Sequence, residues 1–115
     1  MKESIVRELS VRFALRVVRL SKHLRDDKNE YIMSKQILRS GTSIGANISE
    51  ALCGQSKKDF FAKMYIAYKE AAETAYWLEV LYKSEYLTIT EYSSLNNDNH
   101  EILKILSSIT KKSER

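Results

Sequence analysis

Apolar residues recur three or four positions apart over four long stretches of this 115-residue chain, the spacing that sets side chains on one face of an α-helix. In the first stretch, residues 4–25, that face is Val6, Leu9, Phe13, Val17, Leu20 and Leu24. The second, residues 31–53, carries Met33, Ile37, Gly41, Ile44, Ile48 and Ala51 (or Leu52) at the same spacing. Residues 57–83 carry Phe60, Met64, Ala67, Ala71, Thr74, Leu78 and Tyr82, and residues 89–110 carry Tyr92, Leu95, Ile102, Leu106 and Ile109. The polar runs between them are short. Asn29 is placed to cap the second helix, and Gly54 follows its end. Ser56 and Asp59 have capping-box-like spacing, and Thr88 with Glu91 match a capping box well. Short connections make consecutive helices antiparallel, so the pattern predicts an all-α, up-and-down antiparallel four-helix bundle forming one domain. The run Asn96–His100 is a weak helix former, but the apolar spacing stays in register across it, so the fourth helix is expected to continue. From Thr110 onward the chain is expected to fray.

Two of these helices carry more apolar surface than one core face. On the first, Val11, Leu15 and Val18 make a second strip. On the third, Phe61, Tyr65, Tyr68, Ala72 and Tyr76 make another, and Ile66, Trp77 and Val80 lie on a further side. A small bundle cannot bury all of this, and Tyr and Trp are favoured at interfaces. Val11, Leu15, Val18, Phe61, Tyr65, Tyr68 and Tyr76 are therefore read as an interface of a homo-oligomer. Periodicity says only that the protein is not a monomer.

The second helix is built against its own propensity. Ser40, Gly41, Thr42, Ser43, Gly45, Asn47 and Ser49 are all poor helix formers. Gly41, Gly45 and Ser49 lie four apart and form a shallow strip that lets a neighbouring backbone come close. The same helix holds one patterned polar set: Gln36, Arg39, Ser43, Asn47 and Glu50. The favoured reading is a half-buried network in which Asn47 and Glu50 bond a neighbouring helix and fix its register. A ligand site is the alternative.

Composition narrows the class. With no Pro and three Gly, the chain lacks the turn residues that sheets need. No apolar run reaches the ~20 residues of a membrane span, and the N-terminus lacks a secretory pattern, so a cytoplasmic location is expected. Net charge is +4, and it is uneven. Residues 1–25 hold seven Lys/Arg and two Glu, a balance of +5, whereas residues 26–115 hold twelve basic and thirteen acidic residues, a balance of −1. Arg12, Arg16, Arg19 and His23 form one stripe, and Lys22 and Arg25 add to the charge, with no acid between Leu9 and Arg25. Two readings stand for this helix. Its cations pair with acids elsewhere or face water, or they form a phosphate-binding surface.

Catalytic chemistry has little to work with, and no enzyme is expected. His23 and His100 lie on different helices beside no evident partner. Cys53 sits at a helix end beside Gly54, so it is expected to be a small packed side chain and not a nucleophile. Glu70, Glu73 and Glu79 lack the Glu-x-x-His pair of bundle metal sites, and no metal or cofactor is expected.

The run Gln36, Arg39, Ser43-Ile44, Asn47-Ile48 and Glu50 resembles the Q-x-x-R-x-x-x-S-I-x-x-N-I-x-E signature of the four-helix-bundle proteins named for 23S rRNA intervening sequences. It is also similar to the accessory variability determinant of diversity-generating retroelements. The likeness extends over most of the chain, through Phe60-Phe61 and Ala67–Thr74, with Glu73 on a typical family acid. Gly45 stands where the family often has Pro, Ser49 where it has Ala, and Ala51 where it has Gly. The resemblance implies a homopentamer, an RNA or DNA partner, and in the retroelement branch a reverse transcriptase. The function expected is therefore a basic, bacterial accessory protein that binds nucleic acid through Arg12, Arg16, Arg19, Lys22 and Arg25. The alternative is a structural oligomer or protein-interaction scaffold.

Overall fold

Four apolar faces that each need covering produce four helices. The computed structural model describes residues 1–114: α1 (Lys2–Lys28), α2 (Met33–Leu52), α3 (Lys57–Lys83) and α4 (Ile89–Lys111), then a 3₁₀ turn, Lys112–Glu114. No strand occurs among the described residues. At 1.5 Å rise per residue a helix the length of α1 or α3 spans about 40 Å. The molecule measures 45 × 21 × 19 Å, so it is about one helix long. Each helix packs on its neighbour in sequence, and α1 closes the ring against α4, the sparsest of the four seams. Partner numbers fall on one helix as they rise on the next. Ser10 meets Gly45 and Val17 meets Gly41 between α1 and α2, while Glu50 pairs with Lys63 and Ser40 with Thr74 between α2 and α3.

The ends differ from expectation in physical detail. α1 runs to Lys28 because Asn29 takes the left-handed conformation (φ 53°) and its N–H donates back to the Leu24 carbonyl. Asn29 thus ends α1 and does not cap α2. Glu30 does that work: its buried carboxylate accepts from the backbone N–H groups of Ile32 (3.2 Å) and Ser34 (2.8 Å). Gly54 follows the end of α2 without a left-handed φ; its N–H donates to the Ala51 carbonyl at 3.1 Å. Ser56 accepts from the Asp59 N–H, and Thr88 and Glu91 form a reciprocal capping box. α4 continues unbroken through Asn96–His100. Thr110 and Lys111 are helical and the turn follows; Arg115, the last of the residues expected to fray, lies outside the described residues.

The core takes one stripe from each helix, including Phe13, Val17, Ile44, Ile48, Met64, Leu78, Ile102 and Leu106, all buried. Leu9, Met33, Phe60, Tyr82 and Tyr92 sit at its margin, partly buried. Between α1 and α2 the seam is tight. A Cβ on Gly41 would lie 2.8 Å from both γ-carbons of Val17, and one on Gly45 would lie 3.0 Å from the Ser10 hydroxyl oxygen. Small residues face the partner on both helices, and buried hydroxyls satisfy backbone groups there. Ser10 Oγ donates to the Arg7 carbonyl (2.7 Å) and Ser21 Oγ to the Ser34 carbonyl (3.0 Å).

Val17 is β-branched and stiff, so it cannot turn away from a methyl group. Gly41→Ala is therefore expected to destabilise the fold by about 1 kcal/mol, an overpacking cost of about 2 less a helix-propensity gain of about 1. Urea denaturation of Gly41→Ala, Val17→Ala and the double variant checks this: the two effects should be strongly non-additive, because the second substitution removes the clash.

Candidate nucleic-acid interface

Helical spacing distributes the cations of α1 around its outer half. Arg12, Arg19, Lys22 and Arg25 are exposed. Arg12 reaches Glu8 one turn earlier at 3.7 Å, a pair so exposed that it leaves the charge available. Arg16 behaves differently. Its guanidinium donates to Asp98 Oδ2 (2.6 Å) and Ser94 Oγ (2.9 Å) on α4, and its side chain is 35% exposed. Arg16 thus joins α1 to α4, as the first of the two readings of this helix has it, with an acid 82 positions away that no local pattern singles out. Arg19 and Lys22 form no ion pair among the described residues. Arg25 Nε donates to the Ser21 carbonyl at 3.4 Å. His23 does have a partner, Asp27, at 2.6 Å.

A cleft of about 260 Å³ runs along the α1–α4 seam, with Arg16, Arg19 and His23 on one wall and Glu91 on the other. The Glu91 carboxyl is held below its ordinary pKa, chiefly by the backbone N–H of Thr88. Its charge persists, so this cleft is of mixed sign. The cationic surface of α1 is instead the exposed ridge of Arg12, Arg19, Lys22 and Arg25.

The polar set of α2 resolves into separate contacts. Arg39 donates to Glu70 (2.9 Å) and to Glu73 on α3, and Trp77 Nε1 donates to the same Glu73 oxygen at 2.9 Å. The hydrogen bond from Arg39, then that from Trp77, lowers the Glu73 pKa; the Glu73 bond raises that of Arg39. Glu50 pairs with Lys63 of α3 at 3.1 Å. Asn47, however, does not bridge helices: its Nδ2 donates to the Ser43 carbonyl on its own helix at 2.9 Å. Gln36 is half-buried, and no side-chain hydrogen bond ties it to this set. Register between α2 and α3 is carried by Arg39 with Glu70 and Glu73, and by the buried Ser40–Thr74 hydroxyl pair (2.9 Å).

The interface residues read from the sequence are mostly at the surface. Val11, Leu15, Val18, Tyr65 and Tyr76 are exposed, the last two by 55% and 58%, while Phe61 and Tyr68 pack partly on the core. Among the described residues no group of His, Cys, Asp or Glu could hold a metal, and no helix is long and apolar enough to cross a membrane.

Glu73, with a folded pKa below its unfolded value near 4.5, contributes stability above that pH and loses it as pH falls through the folded value. Glu73→Gln should cost about 0.5–1 kcal/mol at pH 7, the range of a largely solvated pair. The loss should shrink below pH 4.5. Denaturant titrations of both proteins across that range check it.

The profile of the 23S rRNA-intervening sequence protein family matches residues 2–108. A crystal structure from Bacteroides thetaiotaomicron VPI-5482, described as a protein of unknown function from the S23 ribosomal protein family, is 56% identical. It superposes with a TM-score of 0.94, over 96% of this chain and 99% of that one. No curated protein matches significantly. Four helices, the signature on α2 that meets Glu70 and Glu73, and this profile agree: the chain belongs to the 23S rRNA-intervening sequence protein family.

Proposed function

We propose that the protein is a non-enzymatic, cytoplasmic accessory factor: an antiparallel up-and-down bundle that assembles into a homo-oligomer and binds RNA or DNA through the outer ridge of α1. The observation that carries this reading is that ridge. Four cations, Arg12, Arg19, Lys22 and Arg25, are exposed on one helix, and among the described residues Glu8 is the single acid that reaches any of them. Oligomerisation multiplies the set and its field. Support for assembly comes from Val11, Leu15 and Val18 on α1, and from Phe61, Tyr65, Tyr68 and Tyr76 on α3. The antiparallel sense is supported by the falling partner numbers between successive helices. The number five and a reverse transcriptase as protein partner come from the family resemblance. The family's name speaks for RNA.

A second reading, a structural oligomer or scaffold without nucleic acid, is favoured by the engagement of Arg16 with Asp98. Binding of labelled RNA and DNA measured against salt separates the two. The nucleic-acid reading predicts a steep fall of affinity with salt, and a slope reduced by roughly 2 in Arg12→Glu/Arg19→Glu/Lys22→Glu. Arg16 is left intact in that variant because its loss would open the α1–α4 seam. Salt-insensitive or absent binding selects the scaffold.

A further inference from the structure

Lysines remote in sequence meet at the end of the bundle where α3 begins and α4 finishes. One cleft of about 610 Å³ is lined by Lys104, Lys111 and Lys112 of the C-terminal segment, with Tyr68, His100 and Ser107. An adjoining one of about 800 Å³ is lined by Lys57, Lys58 and Lys112, with Phe61 and Tyr65. The two share Lys112, and among the described residues no carboxylate lines either. Lys2 of α1 reaches the rim, donating to Ser108 at 2.6 Å. The charge balance of −1 over residues 26–115 conceals this cluster, because acids elsewhere on the same helices cancel it in the sum.

Between the lysines stands an aromatic platform. Tyr65 and Tyr68 lie nearly parallel, 10° apart with centroids at 6.2 Å, and Tyr65 is 55% exposed. Cations flanking an exposed ring are the arrangement that holds unpaired nucleotides: phosphates go to the lysines, and a base stacks on the ring. A duplex offers no free base face, so this surface suits single strands. Ser107 and His100 in the same cleft supply groups for a ribose 2′-hydroxyl, which favours RNA.

We infer that this α3–α4 end is a second binding surface, selective for single-stranded RNA, in which the lysines hold phosphates and Tyr65 stacks a base. It rests on the nucleic-acid reading above but uses different residues. It also takes Tyr65 and Tyr68 out of the subunit contact and leaves Tyr76, with Val80 one turn on, and the α1 strip of Val11, Leu15 and Val18 to form it.

The test is fluorescence anisotropy with a labelled oligouridylate, its deoxy counterpart and an RNA duplex, on the full chain. Lys104→Glu/Lys111→Glu/Lys112→Glu should weaken oligouridylate binding at least tenfold and flatten its salt slope by about 2. Tyr65→Ala should weaken it about fivefold or more and Tyr65→Phe should not, while duplex affinity stays unchanged in both. Both tyrosine variants should sediment like the parent protein. If the lysine variant binds as the parent does while the α1 variant loses affinity, this inference is overturned and the α1 reading stands. The converse result supports the inference and removes α1. Equal affinity for the deoxy strand overturns the choice of RNA, and dissociation of the oligomer by Tyr65→Ala returns that ring to the subunit interface.

Discussion

A four-helix core can take only one stripe of side chains from each helix, and α3 is apolar on more than one. Ala67, Ala71, Thr74 and Leu78 fill its share of the core. Tyr65, Ile66 and Tyr76 are left outside, with Trp77 and Val80 partly covered at the flanks. Exposed apolar area of this kind is stabilised by burial against another surface, at about 25 cal/mol per Å². The tight α1–α2 seam sharpens the constraint. Where Val17 meets Gly41 and Ser10 meets Gly45, the helices are already close, with no room to admit a further layer.

Polar contacts then fix which way the helices sit. Hydrophobic burial is indifferent to small slides along a seam, whereas directed bonds are not. Arg39 with Glu70 and Glu73, Ser40 with Thr74, and Ser21 with the Ser34 carbonyl hold α2 between its neighbours. Asn99 is buried on α4, and its Nδ2 donates to the Ala71 carbonyl of α3 at 2.9 Å. On the open α1–α4 side Arg16 with Asp98 and Ser94 serves the same end. The arginine stripe of α1 is thus divided between holding the bundle and facing outward.

Much of this was legible in the sequence, because period and caps are local. The capping box at Thr88 and Glu91 and the small strip at Gly41 and Gly45 each need only a few residues to be read. What depended on distant pairing was not legible. Glu30 falls in the short polar run between the first two helices, yet it is buried and anchors the start of α2. Asn47 had the spacing to bridge helices but bonds its own backbone, because Asn competes for nearby carbonyls. The lysines at the α3–α4 end were hidden by averaging: Lys57 and Lys112 are far apart in the chain and line one cleft in the fold.

Self-association through α3 is the claim on which the charged surfaces depend, since it turns a modest charge per chain into a concentrated one. Sedimentation equilibrium at micromolar concentration tests it most directly. Assembly through α3 should give a mass several times the 13.3 kDa of one chain, near that of a pentamer, collapsing toward one chain in Tyr76→Glu. A homogeneous 13.3 kDa species from the unaltered protein contradicts it.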